Sequence, residues 1–408
     1  ADPGPCRESS RGHPGMVPRC GGIAGDAPVA VARYAHDFIR DPSESVMPPE
    51  TATAVKPAAL DRLAWGLRGH LNRFAHVVIN VSDLDRAVEF YEATLPVQRR
   101  ARIDGPAQSY AGLGIARGRC RGWVLENKTD APPPGDLVAE FPARFIHLIE
   151  WLDPAPTGQP YREANHVGIY RQNVLVGNLD EAYANVLAHG GRPYAEPSWI
   201  VLTPDGFQVR VFGFRDPDGS TLEMIGCDDP DNPAPYPGML HHCNLNVRDL
   251  ATSYRFYRDV IGLDLAVYLA PTALQPATNG SIGDALANPD GSPYRGGQMR
   301  FAATLLGLRS DTRNPLDVLE WDVPKPYGNA YARATNLGII RVAFEVDDID
   351  AAHRRLTLTG HPGIGPVETW DMGEFGERRV VIFRDPDGIM LELTEHVPVE
   401  TARPPFDA

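Results

Sequence analysis

"FRDPDG" stands at residues 214–219 and again, unchanged, at residues 383–388. Each copy is followed, four residues after its glycine, by a glutamate: Glu223 in "STLEMI" and Glu392 in "IMLELT". Asp-Pro-Asp-Gly has the residue preferences of a type I turn, and its apolar flanks read as strands. Each copy therefore predicts a hairpin that carries one carboxylate in mid-strand. Identical hairpins this far apart indicate an internal duplication.

A second repeat lies upstream of each hairpin. "FAHVVINVSDLDRAVEFYEATL" from Phe74 reads as strand, turn and helix, with Leu84, Val88, Tyr91 and Leu95 on one helical face. Ser82 with Asp85 predicts a capping-box-like start. The pattern returns as "LHHCNLNVRDLATSYRFYRDVIGL", in which His76/His242, Asn80/Asn246, Asp83/Asp249 and Tyr91/Tyr257 are identical. Apolar strands follow, "RFIHLIEWLDP" and "PLDVLEWDVP". A further strand–helix start comes next, "NHVGIYRQNVLV" in one half and "TNLGIIRVAFEV" in the other. The chain thus predicts four β-α-then-strands modules in two tandem pairs. Residues 1–69 form a Pro/Gly/Ala-rich N-terminal extension with short helices near 31–40 and 58–71. Residues 70–227 form the first domain, 228–238 a linker, 239–397 the second domain and 398–408 a tail. Neighbouring modules are the default partners.

With 39 Lys and Arg against 53 Asp and Glu, the net charge of -14 argues against nucleic acid and anionic membrane surfaces. No run of about 18 apolar residues predicts a bilayer span, and the N-terminal stretch does not read as a signal peptide. Five scattered cysteines fit reduced thiols in the cytoplasm. The spacing of Cys6, His13 and Cys20 matches no zinc pattern. "DGFQ" at 205–208 and the glycines at 112–114 read as turns, so no nucleotide cofactor is expected.

Strand starts of the form H-x4-V-x-D-L joined to ends of the form F-x-D-P-D-G-x3-E resemble the vicinal oxygen chelate (VOC) superfamily. This superfamily includes glyoxalase I, epimerases, extradiol dioxygenases and bleomycin resistance proteins. The resemblance implies an α+β fold of four βαβββ modules, paired into two tandem glyoxalase-like open barrels. It also implies a small-molecule substrate chelated to a divalent metal. Carried over by position, the first pair offers His76, His147 and Glu223 as metal ligands, with Glu223 and Arg171 as catalytic residues. The second offers His242, Asp317, Arg341 and Glu392 as a candidate second site. Arg171 and Arg341 stand where the family usually has histidine. A guanidinium there can clamp a carboxylate or an enolate, or pair with the glutamate.

Two imidazoles and one carboxylate suit Fe(II), with Mn, Ni, Co or Zn as alternatives. A dioxygenase-like reaction leads the expectations, although Gly213 and Ile382 hold the places of a His and a Tyr found in ring-cleaving relatives. A glyoxalase- or epimerase-like isomerase or lyase comes next, then a metal-free binding or resistance protein. A homodimer is compatible with all three. His166 reads as a histidine packed under a loop. His241, Glu150 and Glu320 read as facing away from the site, and Tyr91 and Tyr257 as core.

Overall fold

The computed structural model describes residues 66–128, 145–201, 208–226, 238–274, 286–295, 299–308 and 311–395. The expectations for residues 1–65, including Cys6, His13 and Cys20, for most of the linker, for 205–207 and for the tail lie outside the described residues. Of the helix expected near 58–71, the described part is turns at 66–70 and strand from Leu71.

Four modules follow one plan. The first holds β1 (Leu71–Asn80), α1 (Leu84–Thr94), β2 (Val97–Ile103), β3 (Gln108–Tyr110), β4 (Ile115–Asn127) and β5 (Phe145–Asp153). The second holds β6 (Gly168–Val176), α2 (Leu179–Ala188), β7 (Arg192–Pro193), β8 (Ser198–Val201), β9 (Gln208–Arg215) and β10 (Thr221–Gly226). The third holds β11 (Met239–Val247), α3 (Leu250–Arg255) with a π-helical turn at Phe256–Ile261, β12 (Asp264–Leu274), β13 (Met299–Leu308) and β14 (Asp311–Val323). The fourth holds β15 (Gly338–Val346), α4 (Ile349–Leu358), β16 (Glu368–Asp371), β17 (Glu377–Arg384) and β18 (Met390–Glu395).

Among the described residues each of the four α-helices starts at a side-chain cap, which satisfies one of its free N–H groups. Asp83, Asn178, Asp249 and Asp348 accept from the amides of Arg86, Glu181, Thr252 and Ala351. The first cap is therefore Asp83. Ser82, expected to cap, instead gives its amide and hydroxyl to Asp218.

The modules build two nine-stranded sheets, ordered β16-β17-β18-β15-β1-β5-β4-β2 and β12-β13-β14-β11-β6-β10-β9-β7, with β3 beside β4 and β8 beside β9. The tandem order predicted neighbours as partners. Instead, the first module shares its sheet with the fourth, joined by β1 against β15, and the second with the third, joined by β6 against β11. The connections cause this. After β5, residues 154–167 run to the other sheet, and after β14, residues 324–337 run back. The two crossovers bond to each other, Thr157 N to Thr335 O (2.9 Å), Leu337 N to Thr157 O (2.9 Å), Val167 N to Tyr327 O (2.7 Å) and Tyr327 N to Asn165 O (2.9 Å). Tyr161 and Tyr331, equivalent in the repeat, stack at 3.9 Å where they meet.

Both "FRDPDG" copies are the hairpins expected. β9 pairs antiparallel with β10, and β17 with β18. In the turns, Gly219 N bonds Asp216 O and Gly388 N bonds Asp385 O. Both glycines have positive φ (104° and 86°), a conformation that other residues resist. The turns also tie sequence neighbours together across the two sheets. Tyr91 Oη donates to Asp216 Oδ2 and Tyr257 Oη to Asp385 Oδ2, each at 3.0 Å.

Candidate functional site

Register places the candidate side chains. Val78 pairs with Arg341 on one side and His147 on the other, while Ala343 pairs with His76 and Glu392. Cross-strand partners share a face and residues i and i+2 do too. His76, His147, Arg341 and Glu392 therefore line one face of the first sheet, all of them buried. In the second sheet Asn244 pairs with Arg171 and Asp317, and Glu223 pairs with Asn173.

The ligand sets expected from the sequence are accordingly exchanged. His76 and His147 do meet, but with Glu392 and Arg341. Glu223 and Arg171 meet His242 and Asp317 in the other barrel. The set His76, His147, Glu223 is not brought together, and neither is the set His242, Asp317, Arg341, Glu392. The reason is the pairing of outer with outer and inner with inner modules, which sends each glutamate to the other half's histidine.

In the first barrel the His76 and His147 rings stack at 3.7 Å and 15°. The Nε2 atoms of both are buried without a hydrogen-bond partner. Glu392 lies between His76 and Arg341, with Oε1 3.5 Å from His76 Nε2 and Oε2 2.5 Å from Arg341 Nε. Burial alone would raise this carboxyl, but the Arg341 guanidinium and His76 outweigh it and hold it at about 2. His147 is pushed well below the ordinary histidine range by burial, then by His76, Arg341 and Arg378, so it stands neutral. Around these groups pack Tyr110, Trp151 and Trp370, with the Arg341 guanidinium 5.6 Å over the Trp370 ring. Phe375 presses edge-on against His147 at 5.2 Å.

The second barrel is wired differently. Arg171 bonds Asn244 Oδ1 through Nε (2.7 Å) and pairs with Glu223 Oε2 through Nη1 (2.9 Å). Asn244 also accepts from Asn173 and donates to Asp317 Oδ2. His242 Nε2 stands 4.0 Å from Asp317 Oδ2, and its Nδ1 meets Nδ1 of His241 at 2.6 Å. Burial raises Asp317 to about 7 against the pull of Arg171, with the Glu223 charge adding to the rise. His241, expected on the opposite face, is brought beside His242 by a register shift between Leu240 and Cys243. The two asparagines are the members of this network that sequence reasoning missed. The repeat offered a signal, since Asn244 and Asn173 correspond to Val78 and Ala343 in the other barrel.

The remaining candidates fall outside both sites. His166 stacks on Tyr161 at 4.1 Å within a crossover. Glu150 and Glu320 accept from the amides of Leu84 and Leu250, at the first residues of α1 and α3.

Whether a divalent ion suits the first barrel can be asked of its donors. Two buried imidazole nitrogens that make no hydrogen bond, beside an ionised carboxylate, are donor types such an ion takes. Donors about 2.1 Å from one ion stand roughly 3.0–3.5 Å apart, as His76 Nε2 and Glu392 Oε1 do. Among the described residues no three His, Cys, Asp or Glu side chains converge as a ready-made cluster, because the two rings stack and Arg341 holds one carboxylate oxygen. By donor type His76, His147 and Glu392 suit such an ion, although the side chains as placed do not converge on one point. Such an ion does not fit in the second barrel, where Arg171, Asn244, Glu223 and Asp317 already engage one another.

A model of the Glyoxalase/Bleomycin resistance protein/Dioxygenase superfamily matches residues 73–224 and 239–393. Among solved structures, a variant of glyoxalase I from Zea mays is similar at 19% identity and TM-score 0.52, over 83% of this chain and 97% of that one. A putative dioxygenase from Bacillus subtilis is similar at 13% identity and TM-score 0.46, over 81% and 86%. At these identities the likeness concerns the fold. No curated protein matches the chain. Among the described residues, no helix is long and apolar enough to cross a membrane.

Proposed function

The chain belongs to the glyoxalase/bleomycin resistance protein/dioxygenase superfamily, and from that premise we propose that it is a metal-dependent, dioxygenase-like enzyme acting on a small oxygenated metabolite in the barrel of the first and fourth modules. One observation carries this reading: the buried His76 and His147 Nε2 atoms make no hydrogen bond, and the ionised Glu392 stands 3.5 Å from the first of them. His76, His147 and Glu392 would hold the ion. Two imidazoles and one carboxylate favour Fe(II), which when bound would supply redox chemistry with dioxygen.

The chain's own residues supply the rest. Arg341 fixes the Glu392 carboxylate in one orientation and, through its remaining N–H groups, offers an oxyanion of the substrate a planar donor. His147, kept neutral, stays available as a donor atom across the physiological range. Tyr110, Trp151, Trp370 and Phe375 exclude water, which strengthens every charge interaction inside.

Metal analysis of the full chain purified without chelator tests the reading. The expected result is about one iron per chain, lost in His76→Ala and Glu392→Ala and kept in Glu223→Ala. Stable zinc, nickel or cobalt with no oxygen dependence would move the reaction to the isomerases and lyases. Folded protein that takes up none of Fe, Mn, Ni, Co or Zn would overturn the enzyme reading in favour of a metal-free binding protein.

A further inference from the structure

Arg378 stands apart from the other site arginines. It lies in β17 directly opposite Trp370 of β16, so its side chain shares a face with Trp370, Val380 and Ile382. Ile382 in turn pairs with Glu392, which makes this the site face of the first sheet. The guanidinium lies 4.1 Å over the Phe375 ring, and Phe375 in turn touches His147. Arg171 and Arg341 each hold a carboxylate at hydrogen-bond distance. Arg378 holds none: its hydrogen bond among the described residues is Nη1 to the backbone oxygen of Glu377, at 3.0 Å.

A half-buried guanidinium without a counter-ion is costly, because desolvation disfavours its charge. Burial accordingly lowers Arg378, with the Glu345 charge only partly opposing it. The charge also reaches into the site, where it helps keep His147 neutral. Stacking on Phe375 leaves the remaining N–H groups of a planar fork unused, the geometry that grips a carboxylate at two points. The first barrel thus holds a further guanidinium beside the Arg341–Glu392 pair, within aromatic walls. The second barrel has Val209 at the corresponding repeat position, so the repeat supplies this arginine to the first barrel only.

Resting on the reading of that barrel as the substrate site, we propose that Arg378 anchors the carboxylate of the substrate, and that the class accepted is a small organic acid with a planar unsaturated or aromatic body. The acid end sits against Arg378 and Phe375, and the body lies toward Trp370 and Tyr110.

Titration of the full chain with benzoate and with its neutral isostere benzamide, followed by calorimetry, tests this in metal-stripped and metal-loaded protein alike. Benzoate should bind at least about tenfold more tightly than benzamide in both forms. Arg378→Gln should abolish that preference while leaving benzamide unchanged, and Arg378→Lys should retain part of it. Benzoate that binds no better than benzamide, or not at all, overturns the proposal. So does a folded Arg378→Gln protein that keeps the preference, or Gln and Lys variants that behave alike. Because the preference is read without metal, its failure is distinct from failure of the metal reading, which metal content alone decides.

Discussion

Arg341 and Glu392 form a buried ion pair, Nε to Oε2 at 2.5 Å, inside a barrel that also holds the stacked imidazoles of His76 and His147. Removing one partner leaves a charge with no water to solvate it. Arg341→Met is therefore expected to destabilise the fold by about 3–5 kcal/mol in urea unfolding, and Glu392→Met by a similar amount. The double variant should be more stable than either single one, because two apolar side chains of similar volume replace a desolvated pair. Additive losses would mean that the two charges do not depend on each other.

The turn aspartates make stability depend on pH in the opposite sense to Glu392. Burial raises Asp216 to about 6 and Asp385 to about 7, although several N–H groups and a tyrosine hydroxyl favour the charged form. A carboxyl that holds its proton more tightly in the fold favours folding below its ordinary 3.8 and loses that advantage as pH rises through 6 to 7. Asp385→Asn keeps an acceptor for the amides of Asp387 and Ile389. Relative to the native chain it should gain up to about 4 kcal/mol between pH 3 and pH 8. Glu392, held at about 2, contributes stability that is present above its ordinary 4.5 and fades as pH falls toward 2. Melting temperatures across pH 2–8 (a range set by these values) check both slopes.

The crossovers are pinned by two asparagines at equivalent places. Asn80 Nδ2 donates to the carbonyls of Ala334 (2.6 Å) and Asn336 (2.8 Å), and Asn246 Nδ2 to those of Ala164 (2.7 Å) and His166 (2.8 Å). Both side chains are buried, so truncation strands carbonyl oxygens away from water. Asn80→Ala should cost about 2–4 kcal/mol. Asn80→Asp should cost more, because it sets an anion against two carbonyl oxygens. Chemical unfolding of the three chains gives the order.

These asparagines show where sequence reading stops. Asn80 and Asn246 were visible as identical repeat positions, and Glu223 and Glu392 as mid-strand carboxylates, because local periodicity and turn chemistry encode hairpins and strand faces. The plan of four β-α-then-strands modules followed from the same signals. Which glutamate meets which histidine was not encoded locally. It depends on where residues 154–167 and 324–337 lead the chain, and Pro-rich connections of that length carry no periodicity to read. The bulge that brings His241 beside His242 escaped for a related reason, since alternation assumes an unbroken register. Arg378 carried no motif at all, and its position facing the site appears only once Trp370 is opposite it.

Exchange of modules between the two halves has a consequence for the chain as a polymer. β1 is completed by β15, through pairs such as Arg73 with Glu345 at 2.7 Å, and β6 is completed by β11. Residues 1–232 made alone would leave both β1 and β6 as unpaired edges beside exposed core, a template for self-association. Co-expressed as 1–232 and 233–408, the halves should co-purify one to one, with melting close to that of the intact chain. Each half alone should self-associate or precipitate, because neither contains a complete sheet. Size-exclusion chromatography with light scattering reads the outcome. A folded, monomeric 1–232 fragment would show instead that the first and second modules can close on each other, and would restore the set His76, His147, Glu223 as a site.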